Sequence, residues 1–281
     1  QEQAGRATNA LGWVMHTPPS WWADVATEEQ RERWLRPAVR GERHECYAIT
    51  EEFAGSDLSE IRATARRVGE DYVLDGVKWH VTSYEHAAYA FVQAKLGDAH
   101  ALFVVDLPSP GVRIVRTPEY SHSITHRHPI VAFESVRVPK EHLVGAEGDG
   151  MAFSYAWFRF ERLMVAARCL GAAERLIAAA DAFASTRIVD GEPLRNRQLV
   201  AAMLADSVTE LFAARAMVYE TGREIATDVK VAHARCSMVK LFASEMANRV
   251  ADRAVQIFGG RGYMRENVAE RMFRELRVER I

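Results

Sequence analysis

The sequence changes character once, near residue 150, and this change constrains the fold more than any other feature. Residues 46–140 carry short β-branched and aromatic runs separated by turn signals. From Gly150 onward, Ala, Leu, Glu and Arg dominate, and apolar residues recur at the three- to four-residue spacing of helices. Short strands followed by long helices are typical of an α+β fold. We therefore predict a β-domain over residues 46–145 and a helical bundle over residues 146–281.

Individual elements follow from the same patterns. We predict a hairpin turn at Asp75–Gly76, because Asp-Gly is a common two-residue turn between strands. The predicted helices are Met151–Ser185, Arg197–Arg223, Lys230–Phe258 and one that begins at Arg265. The first three would each be roughly 40 to 50 Å long, which suits an antiparallel bundle. The predicted strands are Tyr72–Leu74, Trp79–Val81, Tyr89–Gln93, Leu102–Val105, Val112–Val115 and Ile130–Phe133.

Residues 1–45 have the pattern of the end of a helical region. Apolar residues cluster at positions 11–15, and Thr27–Gln30 opens a short helix that we expect to end at Arg36–Pro37. Gln1 starts without a cap, as if inside a helix. We expect earlier helices to be absent from this sequence.

Charge and cysteine content exclude several functions. The formal net charge of −2 gives no electrostatic reason to expect nucleic acid or an acidic membrane surface. Three widely spaced cysteines suggest a reducing compartment and no disulfide framework. The segment His126–His128 has no third ligand nearby, so no metal site is predicted. We expect a location in the cytoplasm, or in the mitochondrial matrix of a eukaryote.

Three segments carry chemistry. Residues 46–57 form a short apolar run that breaks into the small-residue turn Ala54–Asp57, which lets the backbone approach a phosphate or a flat ring. Residues 75–82 read DGVKWHVT, and residues 256–263 read QIFGGRGY. No G-x-G-x-x-G follows a strand-like run, so a Rossmann site is not expected.

In this order and at these separations, the three segments resemble the signatures of the acyl-CoA dehydrogenase family. The resemblance covers nearly all of the chain. It implies a central β-barrel domain between helical domains, a C-terminal four-helix bundle and non-covalently bound FAD. It also implies a homodimer or homotetramer, an acyl-CoA substrate and an electron-transferring flavoprotein as partner.

The resemblance implies a set of residues around the flavin. Thr50 matches a threonine that bonds the isoalloxazine, and Tyr47, Ile49 and Thr82 match residues that line it. Hydroxyl donors suit this role because the ring gains negative charge as it accepts a hydride. Taken singly, these threonines are also typical of ordinary strand positions. Ser56 matches a serine that contacts phosphate, and His80 stands where relatives usually have an aromatic residue packed on the flavin.

A second set matches positions that reach the FAD of a neighbouring subunit. Its members are Arg187, Gln256, Gly259 and Gly260. A guanidinium offers a fork of donors to a pyrophosphate, and glycine lets the backbone come close. The glycines are equally typical of a helix C-cap and turn. Asp190 departs from the family pattern, which has an aromatic residue there.

Removal of an α-proton from a thioester requires a carboxylate. In most relatives it is a glutamate in a Tyr-Glu-Gly-Thr stretch, which would begin immediately after Ile281. A minority use a glutamate on the first long helix, and Glu161 matches that position. A solvated Glu-Arg pair on a helix surface is the alternative interpretation. Phe158, Arg159 and Arg162 are candidate substrate-binding residues, although Arg159 stands where relatives carry an aspartate.

The expected function is oxidation of an acyl-CoA to a trans-2-enoyl-CoA, with electrons passed to an electron-transferring flavoprotein. Two alternatives remain open at this point. The same fold supports relatives that use O₂, such as acyl-CoA oxidases and flavin monooxygenases. The second alternative is that the chain is a non-catalytic subunit of a heteromeric complex.

Overall fold

A computed structural model of the chain describes residues 1–8, 18–122, 127–224 and 229–281. These residues form two compact units. One contains the described residues of 1–14, 121–123 and 158–281, and the other contains those of 15–120 and 124–157. The predictions for residues 11–15 and for His126 lie outside the described residues.

The second unit is built on one curved sheet of seven strands. Its strand order is β1-β4-β2-β3-β7-β6, with β5 paired to β4. β1 and β2 run parallel to β4, and the remaining pairs are antiparallel. The strands are β1 Glu45–Ala48, β2 Thr64–Val68, β3 Asp71–Lys78, β4 Tyr89–Leu96, β5 Ala99–Asp106, β6 Val112–Arg116 and β7 Ile130–Val138.

The hairpin predicted at Asp75–Gly76 is wrong. The turn lies at Gly69–Glu70, because Val68 pairs with Asp71. Asp75 and Gly76 lie inside β3, where the register against β7 shifts as in a β-bulge. Gly76 has φ +155°, and a side-chain carbon there would lie 2.5 Å from Cβ of Ala63, so the bulge requires glycine.

The strand predicted at Trp79–Val81 is also wrong. β3 ends at Lys78, and His80 has φ +55°, which no strand residue adopts. The other predicted strands lie within longer observed ones. Before the sheet come three short helices, α2 Trp22–Val25, α3 Glu28–Gln30 and α4 Arg36–Val39, with a wide π-type segment over Arg31–Leu35.

The predicted helix end at Arg36–Pro37 is therefore two residues early. Pro37 lies in the first turn of α4, directly after the π-type segment. The prediction of the helix start is confirmed, since Thr27 accepts from the backbone N–H of Gln30 at 3.2 Å and forms a capping box with it.

The first unit is helical, with a core of Ala, Leu, Val and Met side chains between its long helices. The three long predicted helices are confirmed to within two residues at each end. The fourth begins at Val268 instead of Arg265, because the Asn267 side chain caps it by accepting from the N–H of Ala269 at 2.8 Å. The helices are α1 Glu2–Ala7, α5 Gly150–Thr186, of which residues 158–186 belong to this unit, α6 Gln198–Glu224, α7 Val229–Phe258 and α8 Val268–Leu276.

Two small features complete this unit. A two-strand ribbon, β8 Ile188–Val189 and β9 Glu192–Pro193, connects α5 to α6. α1 packs against α5 at backbone contact, because Gly5 and Gly171 leave no room for a side chain between the helices. The α+β architecture with a β-domain and a helical bundle is confirmed.

Candidate functional site

The two segments predicted to contact a flavin lie side by side in the β unit. The N–H of Trp79 donates to the backbone oxygen of Thr50 at 2.8 Å, which joins the end of β1 to the segment after β3. The Thr50 side chain is half-buried, and its hydroxyl makes no hydrogen bond to the described residues. The structure therefore presents an available hydroxyl where the sequence predicts a ring-contacting one.

A buried ion pair between Lys78 and Glu51 also joins these two segments. Lys78 is fully buried, and its Nζ donates to the backbone oxygen of Ile49 at 2.9 Å and to Oε1 of Glu51 at 2.8 Å. The Glu51 carboxylate also accepts from the N–H groups of Arg62 and Ala63, at 2.7 and 3.0 Å. Burial lowers the pKa of Lys78 to about 8, against the opposing attraction of Glu51. Neither residue has a role predicted from the sequence, although Glu51 lies in the segment 46–57 and Lys78 in the segment 75–82.

The other residues predicted on the first segment differ in accessibility. The Tyr47 ring stacks on Trp157, with centroids 4.1 Å apart and an interplanar angle of 13°, and lies 5.1 Å from Phe91. Ile49 is buried, with 4% exposure. Ser56 is exposed after a tight turn in which Glu51 and Ala54 exchange backbone hydrogen bonds. Of these three, Ser56 is the one whose side chain is open to solvent.

His80 and Thr82 belong to a hydrogen-bonded network that was not predicted from the sequence. Nδ1 of His80 lies 2.8 Å from the Tyr120 hydroxyl, which donates to the backbone oxygen of His128 at 2.9 Å. Nδ1 of His128 lies 2.9 Å from the Thr82 hydroxyl. Partial burial lowers the pKa of His80. No local sequence signal identifies Tyr120, since it lies 40 residues from His80.

The second predicted set comes together in the helical unit. The rings of Phe183 and Phe258 lie 4.8 Å apart, so the end of α5, which precedes Arg187, approaches the end of α7. The guanidinium carbon of Arg261 lies 5.8 Å from the Phe183 ring centroid. The predicted members are all exposed, namely Arg187, Gln256, Gly259 and Gly260. Their side chains and backbone are thus open to a ligand.

Glu161, the candidate base, lies in a group of charges within the helical unit. The Arg168 guanidinium is 1% exposed and lies 3.1 Å from Glu161 and 3.9 Å from Glu279. Glu161 keeps 30% exposure, whereas Glu279 keeps 6%. Burial raises the pKa of Glu161, Arg168 opposes this, and Glu279 adds to it. Glu161 is therefore partly buried beside Arg168, and it is not a fully solvated residue of a Glu-Arg surface pair.

The predicted substrate-binding residues lie beside Glu161 in the sequence of α5, and the two arginines among them form a cationic region. Arg162 donates to the Ser237 hydroxyl at 3.1 Å and lies 3.3 Å from Nε2 of His233, both on α7. Arg159 is half-buried and makes no hydrogen bond or ion pair with the described residues. Burial lowers the pKa of His233, and both arginines add to this effect. Phe158 is half-buried.

The residues present in each unit fit parts of FAD. In the β unit, the unbonded Thr50 hydroxyl and the exposed Ser56 are hydrogen-bonding groups of the kind that a ring edge and a phosphate require. A side-chain carbon at the neighbouring Gly55 would meet no atom within 4 Å, so the turn is open. In the helical unit, Arg187 has a guanidinium without a partner among the described residues, which suits a phosphate.

Comparison with known proteins identifies the family. Residues 46–134 match the profile of the acyl-CoA dehydrogenase middle domain, and residues 148–281 match that of the acyl-CoA dehydrogenase C-terminal domain. This chain belongs to the acyl-CoA dehydrogenase family. The family consists of flavoprotein oxidoreductases of fatty acid metabolism, and tetramers are typical of it. The family assignment made from the sequence is confirmed.

Individual relatives support the assignment. The caffeyl-CoA reductase-Etf complex subunit CarC of Acetobacterium woodii is 34% identical over 90% of this chain and 68% of its own. Human mitochondrial short-chain specific acyl-CoA dehydrogenase is 30% identical over 100% of this chain and 70% of its own. Butyryl-CoA dehydrogenase from Megasphaera elsdenii has the same fold, with a TM-score of 0.93 and 28% identity over 99% of this chain and 75% of that one.

The described residues show neither a membrane-spanning helix nor a metal site. Among the described helices, none combines the length and apolar character that a membrane span requires. The described His, Cys, Asp and Glu side chains form no group of three that could hold a metal ion. The three cysteines are free and buried.

Proposed function

We propose that this protein binds FAD without a covalent bond and oxidises an acyl-CoA thioester to a trans-2-enoyl-CoA. The observation that carries the proposal is the hydrogen bond between Trp79 and Thr50, at 2.8 Å. It brings the two hydroxyl-bearing segments of the family signature together, and the buried Lys78–Glu51 pair joins the same two segments by side-chain contact. Membership of the family supports flavin-dependent redox chemistry.

The proposed roles follow from position and chemistry. When bound, FAD accepts the hydride equivalent that leaves Cβ of the substrate. Thr50 and Thr82 bond the ring, Tyr47, Ile49 and His80 lie along it, and Ser56 bonds a phosphate. In a second copy of the chain, exposed groups at the ends of α5 and α7 contact the same FAD, namely Arg187, Gln256, Gly259 and Gly260.

Glu161 is the proposed proton acceptor for the substrate Cα–H. Its carboxylate is partly exposed, and burial raises its pKa toward the range in which a carboxylate is an effective base. Phe158, Arg159 and Arg162 lie on the same helix and are proposed to bind the substrate. The cationic region around Arg162 suits a substrate that carries negative charge.

An electron-transferring flavoprotein is the proposed oxidant of the reduced enzyme. The name of the Acetobacterium woodii relative places that protein in a complex with such a flavoprotein. We further propose a homodimer or homotetramer. The proposed location is the cytoplasm, or the mitochondrial matrix in a eukaryote, and the human relative is named as mitochondrial.

Two other reaction types have specific support. The Acetobacterium woodii relative and the 3-(aryl)acrylate reductase of Clostridium sporogenes, which is 31% identical, are named as reductases, so the same site is suited to the reverse reaction. The prolyl acyl carrier protein oxidase AnaB shares the fold at 26% identity, with a TM-score of 0.88. That protein is named as an oxidase.

One experiment tests the proposal and separates these alternatives. The full-length protein is purified, reconstituted with FAD and mixed anaerobically with a series of acyl-CoA and enoyl-CoA thioesters. We expect acyl-CoA to bleach the flavin absorbance and an electron-transferring flavoprotein to restore it. Peroxide release in air would identify an oxidase. Reoxidation of chemically reduced flavin by enoyl-CoA, with no bleaching of the oxidised flavin by acyl-CoA, would identify a reductase. Failure to bind FAD overturns the proposal.

A further inference from the structure

The hydrogen bonds of the Tyr120 hydroxyl determine which nitrogen of the His80 imidazole carries the proton. The Tyr120 hydroxyl lies 2.9 Å from the backbone oxygen of His128 and 2.8 Å from Nδ1 of His80. A carbonyl oxygen only accepts hydrogen bonds, and a tyrosine has one proton to donate. The Tyr120 hydroxyl must therefore donate its hydrogen bond to the backbone oxygen of His128. Its oxygen then accepts, so Nδ1 of His80 carries the hydrogen.

A neutral imidazole that is protonated at Nδ1 has an acceptor at Nε2. The His80 side chain is exposed, and its Nε2 has no hydrogen-bond partner among the described residues. Partial burial lowers the pKa of His80, which favours the neutral form at pH 7. The network thus leaves one directed acceptor on a side chain of the proposed flavin segment.

The backbone of His80 is held in a conformation that costs energy. Its φ of +55° is uncommon for residues other than glycine, although asparagine, aspartate and histidine adopt it more often than other side chains do. The N–H of the next residue, Val81, donates to the backbone oxygen of Pro129 at 3.1 Å. The His80 ring also meets Tyr120 and Trp79 at centroid distances of 5.8 Å. These contacts hold the imidazole in one orientation.

We propose that Tyr120 fixes His80 in its Nδ1-protonated tautomer, so that Nε2 accepts a hydrogen bond from an N–H or O–H group of bound FAD. The inference rests on the proposed FAD site. Tyr120 is a positioning residue, and His80 is the binding residue. Two donors of the ligand have the required chemistry, the imide N–H of the flavin ring and the hydroxyls of the ribityl chain.

The tautomer is measurable without substrate turnover. Nitrogen NMR of the full-length protein, labelled with ¹⁵N-histidine, distinguishes protonated from bare ring nitrogens. We expect His80 to show a protonated Nδ1 and a bare Nε2 in the wild-type protein without FAD. A protonated Nε2 there would overturn the proposal, and this result needs no variant to fold.

FAD titration of the apoprotein tests the consequence for binding. In Tyr120→Phe, His80 loses its acceptor, and we expect the Kd for FAD to rise about five- to tenfold, as for one lost neutral hydrogen bond. Tyr219→Phe is the control, since Tyr219 likewise loses one hydrogen bond, to Glu2 at 2.9 Å, in the other unit. Equal Kd values for the wild-type protein and Tyr120→Phe would refute the binding role.

A third arm identifies the donor on the ligand. An FAD analogue methylated at the imide nitrogen has no ring N–H. If the ring is the donor, this analogue binds the wild-type protein and Tyr120→Phe with equal affinity, whereas a ribityl donor preserves the difference. If neither protein binds FAD, the proposed function fails, while the NMR measurement still tests the tautomer.

Discussion

Lys78 and Glu51 form an ion pair in which Nζ lies 2.8 Å from Oε1, with side-chain exposures of 0% and 9%. Lys78 is the last residue of β3, and Glu51 follows β1 after two residues. The pair therefore ties the two segments of the proposed flavin site by side-chain contact as well as through the backbone. Its energetics lead to the first two predictions.

Replacement of Lys78 by methionine should destabilise the protein. Lys78→Met leaves the Glu51 carboxylate buried without its cation, and removal of one partner of a buried pair costs about 3 kcal/mol of unfolding free energy. Urea unfolding followed by fluorescence measures the change. Lys140→Met is the control, because the Lys140–Glu70 pair has a similar 2.6 Å distance but both side chains are exposed. That substitution should cost less than about 1 kcal/mol, and similar losses in both variants would contradict the prediction.

The difference in unfolding free energy between the wild-type protein and Lys78→Met should also depend on pH. In the folded protein the pKa of Lys78 is about 8, below its unfolded value of 10.5. Between these values the unfolded state binds more protons, so wild-type stability rises with pH. We expect the stability gap between the wild-type protein and Lys78→Met to widen from pH 8 to pH 10. A gap that is constant or narrows over this range would show that Lys78 keeps an ordinary pKa.

Removal of the proposed base should stop turnover. Glu161→Gln keeps the shape of the side chain but cannot accept the proton, so kcat should fall at least about 100-fold. Steady-state assay with the best acyl-CoA from the substrate panel measures the change. Glu266→Gln, at an exposed glutamate, should leave kcat within about twofold. Unchanged turnover in Glu161→Gln would reject Glu161 as the base.

Arg168 should set the acid limit of activity. Arg168 lowers the pKa of Glu161 against the effect of burial, so its removal should raise that pKa further. A base acts when deprotonated, and the acid limb of the kcat/KM profile of Arg168→Gln should therefore move to higher pH. Arg175→Gln provides a matched control seven residues along the same helix, where the arginine is exposed. A limb that moves equally in both variants would mean that the contact with Glu161 is not responsible.

Gly259 should tolerate alanine less well than its neighbour Gly260 does. Gly259 has φ +59°, and a side-chain carbon there would meet no atom within 4 Å, so the penalty comes from the backbone alone. Gly259→Ala should cost about 1 kcal/mol of unfolding free energy. Gly260 is equally open and lacks a positive φ, so Gly260→Ala should be neutral or stabilising. Thermal unfolding of both variants tests this, and equal Tm values would count against a backbone cause.

The long helices were predictable because their signal is local. Apolar residues at three- to four-residue spacing define one face, and the ends of α5, α6 and α7 differ from prediction by two residues or fewer. The family signatures were equally readable, since each occupies a short segment. The proposed roles of the site residues stay predictions, although the structure brings Thr50 beside the segment of Thr82 and brings Phe183 near the end of α5 into contact with Phe258 at the end of α7.

Tertiary structure decided what depends on partners distant in sequence. Asp75–Gly76 is compatible with a turn or a bulge, and pairing of β3 with both β2 and β7 selects the bulge. The sequence by itself determined the α+β class, the helices and the family, because periodicity and short motifs are local properties. Only the folded chain determined the lowered pKa of Lys78 and the hydrogen-bond partners of His80, because burial and hydrogen-bond partners arise from packing between segments tens of residues apart.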